Sequence, residues 1–322
     1  MNILEVKNLN MSYETLEGSV AAVKDVTFSL KEGECFGIVG ESGCGKTSVA
    51  MSLLQLQADN GKITSGEIIF DGKDIVKLNE KELRDVRWSG ISIVFQGAMN
   101  SWNPVVKIGE QIREAIREHY PDKTKEENTD KINELFNIVG LDSSIADRYP
   151  HELSGGMKQR AVIALALSCD PKLIIADEPT TALDVVIQDQ ILNEIRKVQD
   201  ILGLSLIYIS HDIAVIAEMT DNMAVMYAGR IVEKGPTKEV FENPRHSYTQ
   251  SLLASTPSVV GDKIKLKSLD GEPPSLINEQ IGCSFAPRCP NKNTSCNPNH
   301  NMELVEVASD HYVDICNAER SK

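Results

Sequence analysis

No stretch of this 322-residue chain approaches the roughly 20 consecutive apolar residues that a bilayer-spanning helix needs. The N-terminus also lacks a basic segment followed by an apolar one, so no secretory leader is expected and the chain is expected in the cytosol. Positive charge is in deficit. Against 47 Asp and Glu stand only 33 Lys and Arg, a net charge of −14 with a pI near 5.0. That balance argues against a nucleic-acid partner, while a membrane reached through another protein stays open. There is no internal repeat, and no two cysteines form the close pair that structural zinc usually draws on. The seven cysteines of a chain in a reducing compartment therefore read as free, buried or metal-bound thiols rather than disulfides. What remains is the composition of a folded protein, 41% hydrophobic and 25% charged, long enough for two or three folding units.

The most informative stretch is Gly40 to Ser48, Gly-Glu-Ser-Gly-Cys-Gly-Lys-Thr-Ser. A short apolar strand, Glu34–Val39, precedes it, and a helical run, Val49–Leu54, follows. Gly40, Gly45, Lys46 and Thr47 fit G-x-x-x-x-G-K-[ST], with Ser42, Gly43, Cys44 and Ser48 completing the loop. Glycines let backbone N–H groups turn inward around phosphate oxygens, and the following helix points its positive end at the same anion. Lys46 is suited to the β- and γ-phosphates, and the Thr47 hydroxyl to Mg²⁺.

Around this loop the chain reads in order. Residues 3–30 alternate as antiparallel strands, joined by 65–72 in one sheet. Tyr13, in the expected turn, is either a half-buried aromatic or a stacking surface for a nucleotide base. A buried strand, 91–95, ends at Gln96, which is a plain loop residue or a ligand-binding group at a sheet edge. Residues 108–119 and 128–139 read as amphipathic helices, with a charged linker at 120–128 between them. Ser154, Gly155 and Gly156 start a helix over 157–168 and form either an ordinary cap or a second anion site. One nucleotide needs one such loop, so two suggest that one chain closes on the nucleotide of another. The strand 172–176 ends in Asp177 and Glu178, one suited to Mg²⁺ and the other to orienting or deprotonating a water. Residues 185–202 read as a helix, and the strand 204–210 ends at His211, a structural histidine or a γ-phosphate donor. A hairpin over 223–235 closes the core. Beyond it prolines crowd the chain, and Cys283, Cys289, Cys296 and Cys316 lie in this irregular extension.

Together these motifs resemble the nucleotide-binding subunits of ABC transporters over residues 3–235. Gly40–Thr47 looks like the Walker A motif, Leu173–Asp177 Walker B, Leu153–Gly156 the signature and Ala182–Asp184 the D-loop. The resemblance implies an α/β P-loop NTPase (RecA-like) core with an antiparallel β-subdomain, a helical signature subdomain at about 97–160 and a C-terminal extension over 236–322. It implies Gln96 as the Q-loop glutamine and a further Mg²⁺ ligand, His211 as the switch histidine, Glu178 as the catalytic carboxylate and Tyr13 as the adenine stack. It also implies a head-to-tail dimer with ATP between one chain's Walker A and the other's signature. In the extension, His246–Leu253, Gly271–Ser275 and Cys283–Pro290 resemble oligopeptide and dipeptide importer ATPases, and nickel importers share much of it. The implied partners are two transmembrane permease subunits, a second homologous ATPase subunit in a heterodimer and, indirectly, an extracytoplasmic peptide-binding protein. The implied location is peripheral, on the cytoplasmic face of the membrane. A soluble ABC ATPase acting on DNA or ribosomes, or one with a metal- or redox-sensing tail, are the other readings. The acidic balance weighs against the first of these and the intact Glu178 against the second.

The four extension cysteines have five, six and nineteen residues between them. They are either scattered thiols or one metal centre that supplies ordering free energy to a segment with little core. Four thiolates suit Zn²⁺ or an iron–sulfur cluster, and the wide unequal spacing favours [4Fe–4S] over zinc.

Overall fold

Alternating apolar residues make the first 31 residues a long hairpin, β1 (Asn2–Thr15) and β2 (Gly18–Lys31), antiparallel with Val6 opposite Phe28 and Tyr13 opposite Val20. One face is buried, with Leu4, Val6, Leu9, Val26 and Leu30 all at 0% exposure. The computed structural model describes residues 1–181, 183–255, 269–277, 282–292 and 303–314. In chain order follow β3 (Cys35–Val39), α1 (Lys46–Leu54), β4 (Gly61–Phe70), the two-residue β5 (Lys73–Asp74), α2 (Glu80–Val86) and β6 (Ile91–Val94). Then come α3 (Ile108–His119), α4 (Lys125–Ile138), α5 (Gly155–Leu167), β7 (Leu173–Asp177), α6 (Val185–Leu202) and β8 (Ser205–Ser210). The chain closes with α7 (Ile213–Met219), β9 (Asn222–Tyr227), β10 (Arg230–Pro236), α8 (Thr237–Glu242), α9 (Ser247–Ala254), β11 (Leu304–Ala308) and β12 (His311–Asp314).

Two compact units emerge. The first comprises Met1–Lys31, Cys35–Val76 and Tyr208–Lys322. It holds an antiparallel sheet in the order β2-β1-β4-β5 and a second run of strands in the order β11-β12-β10-β9-β3. In the latter, β3 and β9 are parallel, with Val39 opposite Val225, and the other pairs are antiparallel. The extension is less irregular than its proline content predicts. It supplies α8 and α9, and its β12 joins the sheet through β10. Tyr13 lies inside β1 rather than in the turn, because the strand runs on to Thr15 before the chain reverses.

The second unit comprises Glu32–Glu34 and Lys77–Ile207. Its β6 and β7 are parallel, with Val94 opposite Ala176, and both are buried, as the continuous apolar runs demand. Helix α3 buries Ile108, Ile112 and Ile116, one stripe at a spacing of four, each at 0% exposure. The charged segment 120–128 is not wholly a solvated linker. Thr124 caps α4 in a capping box with Glu127, the helix begins at Lys125, and Asn128 is buried.

Candidate functional site

The phosphate loop sits in the first unit, where β3 ends and α1 begins. Two of its glycines are fixed by space. A methyl group on Gly40 would lie 2.2 Å from the Met226 carbonyl oxygen, and one on Gly45 would lie 2.2 Å from that of Ala22. Gly45 also has φ +107°, a backbone that L side chains rarely adopt. Gly43, with φ +78°, faces open space, so there only the backbone conformation calls for glycine. The loop is thus wedged between β2 and the β9–β10 turn, where the Gly229 N–H donates to the Cys44 carbonyl at 2.9 Å. Cys44 is buried, and burial pushes its thiol pKa up, so it packs the loop as a neutral group. Ser42, Gly43 and Thr47 are exposed at the lip. The Lys46 ammonium is buried and donates to the carbonyls of Gly40, at 2.7 Å, and Glu41, at 3.0 Å. The Tyr13 hydroxyl lies 3.3 Å from the Ser48 hydroxyl, so the aromatic and the loop are brought together within this unit. Gly61 across the sheet leaves room for its ring, since a methyl there would approach it to 2.8 Å. His211, also in this unit, is exposed just past β8.

Tyr248, Phe285 and Arg288, which the sequence reading placed in the extension and gave no role at the site, also act on the loop. The Glu41 carboxylate receives both terminal nitrogens of Arg288, at 2.6 and 2.9 Å, and its backbone N–H donates to the Tyr248 hydroxyl at 3.0 Å. This pairing raises the pKa of Arg288 above its ordinary value. Tyr248 and Phe285 pack with Tyr227 of β9, with ring centroids 4.5, 5.3 and 5.4 Å apart. Glu41, a carboxylate inside an anion-binding loop, was the available signal.

The second unit gathers the other group. The parallel register of β6 and β7 brings their C-terminal ends side by side, and the Gln96 amide donates to the Glu178 carboxylate at 2.9 Å. The Thr181 hydroxyl donates to the same Glu178 oxygen at 3.1 Å. Glu178 has φ +47°, a left-handed backbone that costs a non-glycine residue about 1–3 kcal/mol and recurs at functional sites. Asp177 ends β7 at 1% exposure. Ser154 is exposed and caps α5, accepting from the Met157 N–H at 3.3 Å. A methyl on Gly156 would come within 3.0 Å of Ile187, whereas Gly155 has space. Asp184 caps α6, accepting from the Ile187 N–H at 3.0 Å.

Of the extension cysteines, Cys283 and Cys289 are half-buried, on either side of the turn that carries Arg288. Cys296 and Cys316 lie outside the described residues. Among the described residues no three His, Cys, Asp or Glu side chains gather into a metal-holding group. Nor does any described helix have the length and apolarity to cross a membrane.

Residues 23–181 match the ABC transporter family, and residues 232–296 match the oligopeptide/dipeptide transporter C-terminal region. The chain is 43% identical over 297 residues to the dipeptide transport ATP-binding protein DppD of Bacillus subtilis, covering 91% of this chain and 88% of that one. It is 46% identical over 290 residues to the oligopeptide transport ATP-binding protein OppD of the same organism, covering 89% and 81%. Among solved structures, the ATP-binding cassette MJ0796, as a dimer in a post-hydrolysis state bound to ADP and Pi, aligns with a TM-score of 0.65 at 28% identity. That alignment covers 73% of this chain and 98% of the other. With the phosphate loop, the paired carboxylates and the C-terminal region all in place, the chain belongs to the ABC ATPases, in the family of dipeptide and oligopeptide transport ATP-binding proteins.

Proposed function

We propose that this chain is the ATP-hydrolysing subunit of a membrane importer for di- and oligopeptides. The observation that carries the reading is the phosphate loop, where Gly40 and Gly45 have no room for a side chain, Ser42, Gly43 and Thr47 are exposed at the lip and Lys46 is buried beneath it, the arrangement of an anion cradle. Backbone N–H groups of residues 42–48 and the Lys46 ammonium hold the phosphates, and the Tyr13 ring takes the adenine. Thr47, Asp177 and Gln96 supply the oxygen ligands that a magnesium ion requires. That ion, when bound, neutralises charge on the phosphate oxygens. Glu178, its carboxylate oriented by Gln96 and Thr181, takes the proton of the attacking water, and His211 donates to the γ-phosphate. Ser154, Gly155 and Gly156, at the start of α5 with the first two exposed, close on the nucleotide of a second ATPase subunit in a head-to-tail heterodimer.

The partners that complete the machine are two permease subunits and an extracytoplasmic peptide-binding protein, with this chain on the cytoplasmic face. The segment Asn103–Val106 is the permease contact, supported by Val105, a large apolar residue at 77% exposure. Co-expression with the permease subunits and recovery as one complex tests the reading. A Val105→Asp substitution is expected to abolish complex recovery and transport while leaving ATP binding unchanged. Loss of ATP binding as well would mark the segment as a folding element.

The extension carries a four-thiolate centre on Cys283, Cys289, Cys296 and Cys316, a [4Fe–4S] cluster in preference to Zn²⁺. The support is the cysteine spacing and the half-buried position of Cys283 and Cys289. Anaerobic purification with assays of iron, sulfide and zinc is expected to return iron and sulfide in stoichiometric amounts. Zinc alone would replace the cluster by a zinc site, and no metal would remove the centre.

A further inference from the structure

Glu41 is an odd residue to find in a loop built for phosphate. It adds a negative charge one residue after Gly40, on the residue whose carbonyl holds the Lys46 ammonium at 3.0 Å. An uncompensated carboxylate there repels a nucleotide polyphosphate. The structure compensates it from 247 positions away. Arg288 makes a bidentate pair with the Glu41 carboxylate, and its side chain is only 5% exposed. The guanidinium is held in turn by the Asp270 carbonyl at 3.0 Å and the Tyr227 hydroxyl at 3.3 Å, so its fork is aimed before it meets Glu41. Phe285, three residues earlier in the same turn, is 1% exposed against Tyr227 and Tyr248 and anchors that turn to the first unit. Tyr248 completes the grip by accepting the Glu41 N–H.

We propose that Arg288 is a positioning residue of the nucleotide site: it neutralises Glu41 and fixes the part of the loop that holds Lys46, so the C-terminal extension sets the affinity of the phosphate loop for nucleotide. This rests on the reading of Gly40–Ser48 as the nucleotide site. The extension is then a working part of the ATP site, supplying the counter-charge that a loop with an internal carboxylate requires. Arg288 touches no nucleotide atom in this account; it acts through Glu41.

The charges predict a sign pattern that a purely structural role does not. The full chain is titrated with ATP and with ADP, in the presence of Mg²⁺, at a temperature where circular dichroism shows each variant folded. Arg288→Gln leaves Glu41 unpaired, and its Kd for ATP is expected to rise on the order of tenfold. The rise is expected to be smaller for ADP, which carries less charge, and to shrink with added salt. Arg288→Lys keeps the charge and is expected to stay closer to wild type than Arg288→Gln. Glu41→Gln, isosteric and able to keep its neighbours, removes the repelling charge and is expected to bind ATP several-fold tighter. The double variant is expected to return near the wild-type value. Wild-type affinity in folded Arg288→Gln overturns the proposal, as does weakening in Glu41→Gln. If Arg288→Gln does not fold, the Glu41→Gln result decides alone. Lys46→Ala distinguishes failure of the positioning role from failure of the nucleotide site itself. If it abolishes ATP binding while the Arg288 variants leave it unchanged, only the positioning role fails. If Lys46→Ala binds ATP normally, the loop itself has been misread.

Discussion

Gly45 shows how one residue type decides the site. Its left-handed backbone and the Ala22 carbonyl oxygen, which would lie 2.2 Å from an added methyl, both forbid a side chain. Gly45→Ala is therefore expected to displace the loop from β2, lower the thermal midpoint and reduce ATP affinity together. Gly43→Ala, with open space at φ +78°, is expected to show only backbone strain and a smaller shift. Calorimetry and ATP titration of the two variants check the contrast, and equal effects would contradict it. Such residues were legible in the sequence because the motif lists them at fixed offsets. The contacts that complete the site were not. The Gln96–Glu178 hydrogen bond joins residues 82 apart and the Arg288–Glu41 pair residues 247 apart, and no local spacing encodes either. Gln96 was read as a group for the nucleotide and the metal; its amide here rests on Glu178, a link that appears only once β6 and β7 are in register.

Elements were legible in proportion to their length and apolar periodicity. The bounds read for α3 and α6 coincide with those observed, because each carries a stripe of apolar residues, and α6 is further bounded by the capping residues Asp184 and Gly203. The start of α4 was read three residues late, because its first turn, Lys-Glu-Glu-Asn, carries the charge of a solvated loop. Short elements such as α2, α8 and α9 have too few turns to show a period. The α4 cap offers a test. Removing the cap with Thr124→Ala is expected to cost about 1 kcal/mol. The hydrogen bonds from Thr124 hold the Glu127 carboxyl below its ordinary value of 4.5. A depressed carboxyl pKa gives stability that is present above the unfolded value and lost as pH falls through the folded one. Glu127→Gln is therefore expected to be less stable than wild type at pH 7, with the difference vanishing on acidification below pH 4.5. Denaturant unfolding at both pH values measures it, and a difference independent of pH would contradict the capping role.

In the whole molecule, Tyr13, Gly40–Ser48 and His211 belong to the first unit, and Gln96, Ser154–Gly156, Asp177 and Glu178 to the second. The sequence suggested that the C-terminal region after residue 236 is an appendage, since its prolines hide the burial of Tyr248 and Phe285, which depends on Tyr227 of β9. In the proposed ATP hydrolysis, Glu178 handles the water and Lys46 holds the phosphates. Glu178→Gln keeps an oxygen for Gln96 and Thr181 but cannot accept a proton, so the loss falls on the transition state and not on binding. The decisive measurement is ATP turnover and retained nucleotide for Glu178→Gln and Lys46→Ala in the assembled transporter. The predicted result is turnover reduced by about 10²-fold or more with ATP retained in Glu178→Gln, and ATP affinity lost in Lys46→Ala. Wild-type turnover in Glu178→Gln would contradict the account.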